Sequence, residues 1–210
     1  NVTSVYEQWA GAAVAGPKSR EVLNNCVEDP SLITNENFPF MGVISTFLKG
    51  KIPCRIARIS FSGELAFEVY IKSDFANTMM DLLWENAKKF NGCLYGLEAL
   101  GALRVEKGHV TGAELDGRVT IDDAGLGKMA SIKKSYIGSA MRKRGVLSAD
   151  NRETLVGFFP TDLKETFNAG TIVCEKNNIK GQGIGRITSV THSPELGHWI
   201  GIGFIEGGLD

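Results

Sequence analysis

Two glutamates, Glu64 and Glu68, stand in the largely apolar stretch 61–71, Phe-Ser-Gly-Glu-Leu-Ala-Phe-Glu-Val-Tyr-Ile. From Glu64 onward the residues alternate with the two-residue period of a strand. Leu65, Phe67, Val69 and Ile71 then share an apolar face, while Glu64, Glu68 and Tyr70 look the other way. Carboxylates on such a face either stand in water or accept hydrogen bonds from a ligand, and the alternation alone leaves both open. Gly63 marks a turn just ahead of the strand.

Other chemistries have less footing. His109, His192 and His198 do not fall at metal-ligand spacing, and Cys26, Cys54, Cys93 and Cys174 form no Cys-x-x-Cys. Gly181, Gly183 and Gly185 do not make the Gly-x-Gly-x-x-Gly fingerprint; a strand opening with a bulge or tight turn fits them better. No Gly-x-Ser-x-Gly elbow occurs. Asp122-Asp123 admits an acid/base role, but a capped turn before Ala124-Gly125-Leu126 suits the pair better. No self-contained catalytic set and no metal site is expected.

The 210 residues carry 23 Lys and Arg against 24 Asp and Glu, a net charge of −1. Such a chain exerts no general pull on nucleic acid or an anionic membrane, and neither is expected as a partner. The cluster of Lys133, Lys134, Arg142, Lys143 and Arg144 reads as a solvated helix surface. No apolar run approaches the ~20 residues of a membrane span. Scattered single thiols suit a reducing, cytoplasmic location.

The positioning elements follow in order. Residues 8–15 read as a strand, and Pro17 opens a helix. Residues 41–48 and 53–61 read as two strands, the second joined to 61–71 through Ser62-Gly63 as a hairpin. Ser73-Asp74 offers an N-cap to a helix over 74–90, with Phe75, Met79, Leu83, Ala87 and Phe90 along its apolar stripe. Residues 93–95 suggest a short strand and 97–107 a further helix; a short helix is expected around 138–144. Strands at 155–159, 170–174, 183–190 and 199–204, with turns at Thr161-Asp162, Asn177-Asn178 and Ser193-Pro194, suggest a small antiparallel barrel. The predicted class is α+β: a ferredoxin-like split βαβ domain over 1–116, a connector over 117–152, and an antiparallel β-barrel domain over 153–210.

Three segments resemble the glycine-cleavage T-protein (aminomethyltransferase) superfamily: Ala15-Gly16-Pro17-Lys18, residues 58–70 (RISFSGELAFEVY), and Leu103-Arg104-Val105-Glu106-Lys107-Gly108. That family carries a Gly-Pro before a helix, a Gly-Tyr-Thr-Gly-Glu-x-Gly-Phe-Glu strand and a Leu-Arg-x-Glu helix in this order. Residues 116–127, 133–138 and 188–197 look like the C-terminal part of the α subunit of heterotetrameric sarcosine oxidase.

The resemblance implies tetrahydrofolate as partner and a one-carbon unit loaded onto it to give 5,10-methylenetetrahydrofolate. It implies that Glu68 hydrogen-bonds the pterin, which fits a carboxylate's ability to accept two parallel N–H bonds. Phe61 stands where the family usually has tyrosine, and His109 at a downstream ring contact. Glu64 and Tyr70 are expected to brace the site, and Arg104 and Glu106 to form an internal ion pair. Leu100 replaces an arginine that holds the folate tail. The family's catalytic aspartate is expected upstream of Asn1, so the chain is expected to be part of a larger polypeptide and inactive in isolation. FAD, FMN and NAD would belong to other parts of an oxidase complex, whose other subunits are expected partners. The alternative is a non-catalytic folate-binding or subunit-docking module of the same fold.

Overall fold

The alternation seen in residues 61–71 resolves into a strand shorter than it suggests. In a computed structural model the strand begins at Ala66; residues 58–65 form an irregular crossing. Side chains compete with the ladder there. Gly63 N–H donates to Ser60 Oγ (3.0 Å) and Glu64 N–H to Ser62 Oγ (3.4 Å), which offers the backbone a turn in place of a strand. Gly63, at φ +97°, completes the bend. Glu64 and Phe61 therefore lie outside the strand that carries Glu68.

The structure describes residues 2–131, 133–149, 151–177 and 181–208. It divides into two compact units, Asn1–Leu100 and Gly101–Asp210. The first unit contains β1 (Trp9–Ala15), α1 (Ser19–Cys26), β2 (Val43–Leu48), β3 (Ile52–Ala57), β4 (Ala66–Lys72) and α2 (Ala76–Lys88), while α3 (Leu97–Lys107) runs across the division. The four strands form one antiparallel sheet in the order β1-β4-β3-β2. Phe67, Val69 and Ile71 are fully buried with Leu23, Cys26, Met79 and Leu83, so α1 and α2 cover one face of the sheet. Each such side chain contributes about 1.5–3 kcal/mol by leaving water. Phe67 stacks on Phe38 at 5.9 Å. Ser19 Oγ donates to Leu65 O (2.9 Å) and pins the start of α1 to the crossing before β4.

Three expectations need correction. Residues 93–95 form no strand. Ser73 and Asp74 belong to a short 3-10 turn, and α2 follows from Phe75 without a side-chain cap. The short helix expected around 138–144 is a 3-10 turn at Met141–Lys143. The glycines and polar residues around it offer too few apolar positions at helical spacing to sustain longer helix.

The second unit holds β5 (Glu153–Phe158), β6 (Ile172–Val173), β7 (Gly185–Ser193) and β8 (His198–Glu206), antiparallel in the order β5-β8-β7-β6. An irregularity lies between Ile187 and Ser189. Gly203 is needed where β7 comes close: a Cβ there would meet Arg186 O at 2.1 Å. The β7–β8 turn is closed by Leu196 N–H donating to Ser193 Oγ (3.0 Å). The turn expected at Asn177-Asn178 lies partly outside the described residues.

This unit is tied together by Glu114, which is fully buried. Its Oε2 accepts from Arg104 Nη1 (3.0 Å), Thr111 N–H (2.8 Å) and Thr111 Oγ1 (3.1 Å). Its Oε1 accepts from Thr188 Oγ1 (2.7 Å) and Ser189 Oγ (2.6 Å). Burial alone would raise its pKa, but the bonds from Ser189, Thr188 and Thr111 and the Arg104 charge outweigh it and hold the group below its ordinary value. A depressed carboxylate contributes stability present above its unfolded pKa, about 4.3 for glutamate, and lost as pH falls through the folded value. Glu114→Ala, which strands the Arg104 charge, should lower stability in urea unfolding by about 3–5 kcal/mol. The wild-type advantage over the variant should shrink as pH is lowered below about 4. A loss under about 1 kcal/mol, or one independent of pH, would contradict this role.

Candidate functional site

Glu68 sits at the centre of β4, which is paired on both sides. Its register partners are Ala13 on β1 and Ala57 on β3. Directly opposed residues of an antiparallel pair share a face, so a half-buried carboxylate lies between two methyl groups and stays approachable. Tyr70, two residues on, shares that face. Its partners are Gly11 and Arg55. Gly11 makes room for the phenol, since a Cβ there would meet the ring at 3.1 Å. The Tyr70 hydroxyl donates to Glu68 Oε2. This bond, then burial and the Glu68 charge, pushes the Tyr70 phenol up to about 12. Arg55 lies 5.0 Å over the Trp9 ring on the same face.

β1 is the outermost strand on its side of the sheet. Beside it lies a cavity of about 680 Å³, lined by residues 12–19 together with side chains such as Leu83, Trp84, Phe90, Tyr95 and Leu97. Ala13, opposite Glu68, is one of its walls. Tyr95 is another, and its phenol is raised first by burial and then by the Glu68 charge. Glu68 itself is not among the lining residues, and Val22, Met80 and Leu83 bring α1 and α2, from the covered face of the sheet, into the cavity's walls. The Glu68 carboxylate keeps lone pairs that can accept paired N–H groups.

The remaining predicted residues are distributed as follows. Phe61 and Glu64 are exposed in the bend before β4. His109 belongs to the second unit, where its N–H donates to Arg104 O (2.8 Å). Its pKa is lowered by burial and then by the Lys107 and Arg104 charges. Arg104 and Glu106 do not pair with each other, because residues two apart on a helix point in different directions. Arg104 pairs with Glu114, and Glu106 accepts from Ser193 Oγ.

Asp122 and Asp123 are both engaged structurally. Arg142 pairs with Asp122 (2.5 Å). Asp123 accepts from Thr120 N–H (2.8 Å) and Arg152 Nε (2.9 Å). The four cysteines are free; Cys26 and Cys54 are buried, and burial raises both thiols to about 11.

Two contributors escape sequence reasoning. Tyr95 falls in a stretch that reads as a strand, and only its position directly ahead of Gly96 and α3 could have marked it. The alanines flanking Glu68 acquire meaning only once strand register is known.

The family described as GCVT N-terminal domain matches residues 1–134, and that described as Glycine cleavage T-protein C-terminal barrel domain matches residues 154–210. The chain belongs to the glycine cleavage T-protein family. It is 36% identical over 212 residues to sarcosine oxidase subunit alpha of Rhizobium meliloti (strain 1021), covering 99% of this chain and 21% of that protein. It is 31% identical over 209 residues to the aminomethyltransferase of Halothermothrix orenii, covering 97% of this chain and 55% of that protein. The crystal structure of glycine cleavage system aminomethyltransferase T from Bartonella henselae matches with a TM-score of 0.75 at 20% identity, over 94% of this chain and 52% of that one. That likeness shows the fold, α+β with a C-terminal barrel. The chain thus spans about a fifth of the oxidase subunit and about half of the aminomethyltransferases.

The bond between Tyr70 and Glu68 can be read in solution. In an ultraviolet titration of the four tyrosines, the difference between wild type and Tyr70→Phe should reveal a phenol titrating at about 12. With Glu68→Gln that phenol should fall back toward about 10. A Tyr70 titration unmoved by Glu68→Gln would show that the two groups do not interact.

Proposed function

We propose that this chain supplies the folate-binding side of a one-carbon transfer, with Glu68 holding the aminopyrimidine edge of a tetrahydrofolate pterin. The observation that carries the reading is the placement of Glu68: a half-buried acceptor between Ala13 and Ala57 on the sheet face away from the core, with Tyr70 as its one side-chain donor among the described residues. Tetrahydrofolate supplies two ring-adjacent amines that take up a one-carbon unit from an imine. The chain's own residues bind and orient. Glu68 accepts the pterin N–H groups, Tyr70 turns its carboxylate, and Tyr95 walls the aromatic body. Phe61 is a further ligand contact in this reading. Glu64 is read as bracing the bend and not as touching the ligand.

Within the family, similarity favours the α subunit of a sarcosine oxidase over a stand-alone aminomethyltransferase, at 36% against 31% identity. The amine would then be oxidised to an imine elsewhere in a larger assembly that includes other subunits; folate N5 would attack the imine carbon here and N10 would close on it as the carbon–nitrogen bond to the substrate breaks, the two folate N–H protons leaving with the released primary amine, to give 5,10-methylenetetrahydrofolate. No proton-transfer residue is assigned to this chain.

Calorimetric titration with tetrahydrofolate tests the assignment. Glu68→Ala removes a charge-assisted acceptor worth about 1.5–3 kcal/mol and should weaken binding by about 10- to 150-fold. Glu64→Ala should change affinity by less than about threefold. Unchanged affinity in Glu68→Ala, or equal losses in the two variants, would overturn it.

A further inference from the structure

The open face of the first sheet carries more than Glu68 and Tyr70. Alternation along β4 puts Lys72 on that face as well, and Lys72 is exposed. The register partner of Lys72 on β1 is Trp9, and that of Tyr70 on β3 is Arg55. Directly opposed residues share a face, so Trp9, Lys72 and Arg55 all stand on the Glu68 side of the sheet. Arg55 lies 5.0 Å over the Trp9 ring, so it reaches across β4 from β3 toward β1. Two cations therefore adjoin one indole, at the end of β4 away from Glu68. The four residues from Glu68 to Lys72 span about 13 Å of antiparallel strand.

Neither charge is neutralised where it stands. Among the described residues Arg55 and Lys72 form no ion pair with a carboxylate, whereas Arg104, Arg142 and Arg152 each do. Glu68 is the one carboxylate within β1, β3 and β4, and Arg55 turns from it toward Trp9. Stacking on the indole uses only the flat face of the guanidinium. The N–H groups on its edge stay open to an oxyanion in their plane. Lys72 adds a second charge on a flexible stem that can close on the same group. The open face thus presents an acceptor at one end and an anion seat at the other, with the Tyr70 ring between them. We infer that Trp9, Arg55 and Lys72 bind an anionic group, and that this group is the acidic end of the ligand whose N–H edge meets Glu68. This rests on the folate reading and deepens it: the head is held at Glu68, the middle of the ligand passes over Tyr70, and the carboxylates end at Arg55 and Lys72. Those two cations make the site select for an acidic tail.

The test compares two ligands by calorimetry on the intact chain: tetrahydrofolate, and tetrahydropteroate, which lacks the glutamate. The wild type should bind tetrahydrofolate about tenfold more tightly or better. Arg55→Ala and Lys72→Ala should each shrink that preference, and the double variant should bring the two ligands within about threefold of each other by weakening tetrahydrofolate alone. Lys128→Ala, which removes an exposed cation from the second unit, should leave the preference as it is. Circular dichroism checks the fold of each variant. Equal wild-type affinity for the two ligands would overturn this inference and leave the folate reading standing. So would a preference that survives in the double variant, or one that Lys128→Ala lowers as much as Arg55→Ala does. Binding of neither ligand would remove the folate reading and this inference with it.

Discussion

β4 has to bury Phe67, Val69 and Ile71 while pairing with a strand on each side, and that double demand places everything at the site. With both edges hydrogen-bonded and one face covered by α1 and α2, the strand has a single register. A slip by one residue would carry Glu68 into the core and the apolar set to the open face, exchanging three buried hydrocarbons for an unpaired carboxylate. Glu68 and Tyr70 are therefore presented by the cost of the alternative. The alanines opposite Glu68 and the glycine opposite Tyr70 complete the arrangement, because larger residues there would close over the carboxylate or displace the phenol.

Glu114, Asp123 and Glu68 differ in how much acceptor capacity they keep. Glu114 accepts from five donor groups and is fully buried. Asp123 is filled by Thr120 and Arg152. These groups have little acceptor capacity left, and their work is to hold the second unit together. Glu68 differs: among the described residues one side chain, Tyr70, donates to it. It keeps unused lone pairs on a half-buried, approachable face. The same accounting explains why Arg104, although it stands in a family motif, braces a network here: its guanidinium is spent on Glu114, Ser189 and the His109 carbonyl.

Much of the fold was legible because its signals are local. The alternation of β4, the Pro17 signal ahead of α1 and the spacing of Met79 and Leu83 on α2 can be read along the chain. So can the short strands of the second unit. What was not legible depends on partners far away in sequence. Glu114 has no mark of its own in Gly112-Ala113-Glu114-Leu115, and its meaning comes from Thr188 and Ser189, 74 and 75 residues on. The crossing at 58–65 looked like continuous strand because serine side chains that bond their own backbone resemble ordinary polar alternation. Tyr95 was hidden for the related reason that three residues cannot distinguish a strand from an extended connection. For the candidate site, the alternation pointed to the strand and its two glutamates, and family resemblance singled out Glu68 and supplied the expected ligand; strand register and the cavity's lining came only with the structure.

The central claim is that Glu68, and not Glu64, meets the ligand. Carbon-13 labelling of glutamate carboxylates, with Glu68→Gln and Glu64→Gln assigning the two resonances, tests it in one titration with tetrahydrofolate. The Glu68 carboxylate resonance should move progressively to saturation while that of Glu64 stays in place. A shift at Glu64 with Glu68 unmoved, or saturation that leaves both unmoved, would contradict it.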